Sequence, residues 1–101
     1  MAFGFPAFHT ELMAKNRSVI DLRAKVPSVL ESLGWSIESQ SLNQIVAKTK
    51  MNMATWGETV TIRFLLEGGI EVSSRCALPT QCFDWGKNKA NVVRFQKELG
   101  A

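Results

Sequence analysis

From Trp35 to Ser73 the chain alternates between apolar and polar positions. Trp35 and Ile37 stand against Ser36 and Glu38, and Ile45, Ala47, Thr49, Met51 and Met53 stand against Val46, Lys48, Lys50 and Asn52. Val60, Ile62, Phe64 and Leu66 then alternate with Thr59, Thr61, Arg63 and Leu65, and Ile70 and Val72 with Glu71 and Ser73. A period of two sends successive side chains to opposite faces of a sheet, so four strands are predicted. One face is apolar; the other carries Lys48, Lys50, Arg63 and Arg75 against Glu38 and Glu71. The links at Gln40 to Asn43, Ala54 to Gly57 and Gly68-Gly69 are short and rich in turn formers, which predicts an antiparallel meander with the Gly-Gly link as a tight hairpin.

The period lengthens on either side of this region. Val26, Val29, Leu30 and Leu33 form a helical stripe closed by Gly34. Proline suits a helix's first turn and costs about 3 kcal/mol in its interior, so Pro27 predicts a start near Lys25 or Val26. Ser18 to Arg23 is then free to form a short edge strand, a reading favoured over a longer, kinked helix from Ser18. Val92, Phe95 and Leu99 give a second helix one apolar stripe, and Asp84 lies where an N-cap would. The predicted fold is α+β: an antiparallel meander sheet of four to five strands, with helices near residues 25 to 34 and 84 to 99 packed on one face. Residues 18–101 form this domain. Residues 1–17 are read as a Phe-rich arm in which Gly4 and Pro6 break Phe3, Phe5 and Phe8, while Phe8, Leu12 and Met13 would suit a short helix. Three phenylalanines are too apolar to leave in water, so the arm is expected to dock on its own domain or on a partner. Leu65, the odd apolar residue on the polar face, makes Phe3, Phe5, Phe8 and Leu65 the candidate surface for a second copy or another protein.

Composition narrows the function classes. The 101 residues suffice for one core, and the net charge of +3 is a mildly basic balance that solubility alone explains. No apolar run approaches the ~18 residues of a membrane span, so a cytoplasmic protein is expected. Cys76 and Cys82 lack Cys-x-x-Cys spacing and His9 is the sole histidine, which leaves no zinc set and no implied cofactor. Free thiols are favoured over a disulfide, which stays open in an oxidising compartment. A Cys-His catalytic pair would need the arm to reach across the domain, the carboxylates are scattered, and neither a phosphate loop nor a dinucleotide fingerprint is present. The chain therefore reads as no enzyme.

One stretch carries candidate chemistry. Gly86, Lys87, Asn88 and Lys89 crowd the start of the last helix, where unpaired N–H groups and the dipole already favour negative charge. Two lysines there ask for an anion, which Asp84 supplies internally or a phosphate or carboxylate supplies from outside. The basic sheet face raises nucleic acid, yet the alternation places no stacking aromatic on it, so a solvated face is favoured. Trp35, Trp56 and Trp85 each adjoin a glycine at an element end, where large rings plug the mouth of a small core.

Val72-Ser73-Ser74-Arg75, then Asp84, Gly86 and Asn88, then Val92, Phe95 and Leu99, resemble the tail of a family of uncharacterised bacterial domains of unknown function. In that family serine and arginine end a strand and Asp-x-Gly-x-Asn opens an amphipathic helix. The resemblance covers roughly residues 25 to 100, and the longer link from Arg75 to Asp84 departs from it. It implies a shared fold and a structural corner at Arg75, Asp84 and Trp85, with no chemistry attached. Asn88 or Arg75 is expected to tie the helix start to the sheet. The leading functional reading is a non-catalytic binding or accessory domain; the alternatives are a small-molecule or lipid pocket between helices and sheet, and a weak anion or nucleic-acid binder.

Overall fold

The computed structural model describes residues 8–49, 57–76 and 87–100. Five strands and two helices follow in the order β1 (Phe8–Met13), α1 (Val19–Leu33), β2 (Ser36–Gln40), β3 (Gln44–Lys48), β4 (Glu58–Phe64), β5 (Ile70–Cys76) and α2 (Lys87–Leu99). The sheet order is β1-β5-β4-β3-β2, antiparallel throughout. Strands β2 to β5 are the meander that the alternation predicts. Met51 and Met53 of the predicted strand that begins at Ile45 and most of the Ala54 to Gly57 link lie outside the described residues.

Two features differ from the sequence reading. Ser18 to Arg23 is not an edge strand; it is the cap and first turns of α1. The Ser18 hydroxyl accepts the Asp21 N–H at 3.1 Å and the Ser18 carbonyl accepts from Leu22 at 3.0 Å. Leu22 then extends the stripe of Val26, Val29 and Leu30, all buried. Burying Leu22 and docking two more turns is worth roughly 1.5–3 kcal/mol per large side chain, enough to offset an interior proline. Pro27 therefore sits inside the helix, off the buried stripe. Gly34, at φ 77°, ends it: its N–H donates to Glu31 O and that of Trp35 to Leu30 O, each at 3.0 Å.

The sheet has five strands, within the expected four to five, and the second difference is which residues form the fifth. Phe8 to Met13 is a strand, not a short helix; it pairs with β5 along its whole length, from Phe8 opposite Arg75 to Met13 opposite Ile70. Helix α1 thus crosses from one edge of the sheet to the other, between the parallel strands β1 and β2. The turn that follows β1 packs on the β4–β5 hairpin, where Gly69 N–H donates to Arg17 O at 3.1 Å.

Both helices lie on one sheet face. Leu22, Val26, Val29 and Leu30 of α1 and Val92, Phe95 and Leu99 of α2 share a core with Ile45, Ala47, Val60, Ile62, Phe64, Ile70, Val72 and Met13. Trp35 is buried at the edge of that core. No helix among the described residues is long and apolar enough to cross a membrane.

Candidate binding site

Strand register arranges the covered face in rows. The row nearest the hairpin holds Phe64, Ile70 and Met13; the next holds Ile45, Ile62, Val72 and Glu11; then come Ala47, Val60, Ser74 and His9; the last begins with Thr49 and Glu58. The face changes from apolar to polar along the strands. Helix α2 matches this gradient, because its buried positions are Asn88 and Asn91 in the first turns and Val92, Phe95 and Leu99 afterwards.

These polar groups form one network. Ser74 Oγ donates to Asn88 Oδ1 at 2.8 Å and accepts from Asn91 Nδ2 at 3.2 Å. Asn91 Nδ2 also donates to Glu58 Oε1 at 2.8 Å, and Thr49 Oγ1 donates to the same oxygen at 3.2 Å. The Glu58 backbone N–H returns to Thr49 Oγ1 at 2.8 Å. Glu58 is only 3% exposed. Polar groups so far from water cost several kcal/mol unless paired, so each bond here offsets desolvation, and those of Asn88 and Asn91 also tie α2 to β4 and β5. Beside the network, His9 Nε2 lies 2.7 Å from Glu11 Oε2, both half-buried.

The uncovered face carries the cations. Arg63 and Glu71 are register partners and bond at 3.1 Å. Arg75 and Lys48 both pair with Thr59, one on each side, so they flank it in a row about 10 Å wide at the ~4.8 Å strand spacing. Neither has a carboxylate partner among the described residues. The adjacent row is hydroxyl-rich, with Thr61, Ser73 and Thr10, whose Oγ1 donates to Ser73 Oγ at 3.0 Å. At the opposite end, an open groove of about 420 Å³ lies between Lys15 to Ile20 and Leu66 to Gly68.

The residues singled out from sequence separate in space. Lys87 opens α2 and Lys89 is exposed one residue beyond Asn88, whose carboxamide turns inward; Gly86, Asp84 and Trp85 lie outside the described residues. Arg75 is exposed on the uncovered face, and the tie between strand and helix runs through its neighbour Ser74. Cys76 ends β5, while Cys82, Phe3 and Phe5 lie outside the described residues. Leu65 is in the hairpin, its carbonyl accepting from Gly68 at 3.0 Å, and the apolar side chain most open to water there is Leu66, at 94%. Among the described residues no three His, Cys, Asp or Glu side chains are placed to hold a metal ion.

Sequence reasoning missed Thr49, Glu58, Ser74 and Asn91 as a group. Their signal is phase: Ser74 continues the inward parity of Ile70 and Val72, and Asn88 and Asn91 stand at helical spacing before Phe95. Comparison with known families, curated proteins and solved structures finds no match to this chain.

Proposed function

We propose that this chain is a non-catalytic binding domain. The observation that carries the reading is that the polar groups gathered inside it are committed to one another. The Ser74 proton goes to Asn88, Glu58 is held by amide and hydroxyl donors, and His9 Nε2 faces Glu11. A nucleophile or general base must reach a substrate atom, and groups spent on fixing α2 to the sheet serve positioning instead. The surface left for recognition is the outside of that same end.

The row of Arg75 and Lys48, which no carboxylate among the described residues pairs, favours a second reading within this class, an anionic ligand. Lys89, exposed at the start of α2, is the other place for one. Titration of ¹⁵N-labelled protein with inorganic phosphate and then tripolyphosphate tests both. Saturable, salt-sensitive shifts at Lys48, Thr59 and Arg75 would support the sheet face, and shifts at Lys87 to Lys89 the helix start. No saturable shift at either removes the anion reading. A small molecule retained through gentle purification and seen by native mass spectrometry would replace it with a pocket between helices and sheet.

A further inference from the structure

The two edges of the sheet are built differently. Strand β2 has a register shift between Ile37 and Ser39 with charged, exposed Glu38 at it, devices that discourage pairing with another strand. Strand β1 has no such break, and its one charged residue, Glu11, is half-buried on the covered face. Its six residues run in unbroken register against β5, contain no proline or lysine, and leave Leu12 52% exposed on the uncovered face. No described strand pairs with its outer edge.

We propose that β1 is a self-complementary edge that pairs antiparallel with β1 of a second copy, about a twofold axis at Thr10. The sequence Phe8-His9-Thr10-Glu11-Leu12 reads apolar, basic, hydroxyl, acidic, apolar. Inverting it about Thr10 sets Leu12 opposite position 8, a phenylalanine, and His9 opposite Glu11, each pair occurring twice. Both members of every pair share a face, as the pleat demands. Apolar, Thr-Thr and opposite-charge neighbours across strands are the stabilising kinds. A register centred on Glu11 would instead set two carboxylates face to face, and only the Thr10 axis sets Glu11 opposite His9. Such an isologous seam closes on itself and yields a dimer with one ten-stranded sheet.

The test is the mass of the full chain in solution against concentration, by light scattering or sedimentation equilibrium. The wild type is expected to move from one to two chain masses; a monomer at every concentration overturns the proposal. Leu12→Lys is expected to stay monomeric. Glu11→Lys, which removes the carboxylate opposite His9, and His9→Glu, acidic at both 9 and 11, should each be monomeric alone and form a mixed dimer when combined. Variants that remain dimeric alone, or a mixture that stays monomeric, overturn the β1 seam. Should a variant fail to fold, isotope-filtered spectra of mixed labelled and unlabelled wild type still decide: intermolecular contacts between the two Thr10 residues support the axis, and contacts centred elsewhere overturn it.

Discussion

Ser74 shows how much rests on the side of the sheet to which a hydroxyl points. Its neighbour Ser73 faces out and accepts from Thr10 in water, whereas Ser74 is fully buried and joins Asn88 to Asn91. Removing one partner of a buried hydrogen bond costs about 1–3 kcal/mol, and a surface change usually stays within about 0.5 kcal/mol. Ser74→Ala is therefore expected to lower the urea midpoint clearly, and Ser73→Ala to leave it in place. Pairing Ser74→Ala with Asn88→Ala in a double-mutant cycle should show coupling, since the two share a bond; additive costs would mean that the bond contributes nothing. Gly69 is sensitive for a different reason. It sits at φ 84°, and a Cβ there would lie 3.0 Å from both Lys15 Cα and Met13 O, backbone atoms that cannot swing aside. Gly69→Ala should destabilise by about 1–3 kcal/mol in equilibrium unfolding, through left-handed strain and the displaced turn together.

At the scale of elements, α1 contains a conflict between local propensity and packing. Pro27 supplies no N–H to the carbonyl four residues back, yet the helix continues through it because Leu22 and Val26 on one side and Val29 and Leu30 on the other belong to one buried stripe. Proline in a helix interior is about 3 kcal/mol worse than alanine, offset by about 0.4–1 kcal/mol for its stiffer unfolded chain, and a helix already shaped around the ring recovers only part of the difference. Pro27→Ala is thus expected to raise stability by about 1–2 kcal/mol, seen as a higher melting midpoint, and a fall would show that the ring's own packing matters more. The same conflict explains what the sequence could and could not reveal. Strands β2 to β5 and helix α2 were legible because their apolar periods agree with their local preferences. The start of α1 was not, because a local penalty masks a stripe whose worth depends on the sheet beneath. Strand β1 was hidden for the opposite reason: it turns His9 and Glu11 to the covered face and Leu12 outward, so the alternation is inverted and Phe8, Leu12 and Met13 fall at helical spacing instead. The buried network was illegible by convention, since a carboxylate such as Glu58 is assigned to water until a fold supplies its donors.

Across the whole molecule, the two ends of the α2–sheet contact are held by different forces. Near the hairpin, Phe64, Ile70, Met13 and Leu99 bury apolar surface, and Arg17 Nη1 donates to Leu99 O at 3.2 Å while Nη2 lies 3.0 Å from Asp21 Oδ2. At the other end the helix start depends on hydrogen bonds through Ser74 and Glu58. Apolar burial is spread over many contacts and weakens gradually, but a hydrogen-bonded tie is lost when one member goes, so the two ends should open separately. In native-state amide exchange, Ile62 and Val72 should be slowest, since β4 and β5 are paired on both sides, and the start of α2 faster. Ser74→Ala is expected to speed exchange at Asn91 and Val92 while leaving Ile62 and Val72 changed only by the global loss of stability. Were all four to accelerate together, the polar end would be an inseparable part of the core; a selective change at α2 would identify the network as a latch that holds the helix start to the sheet.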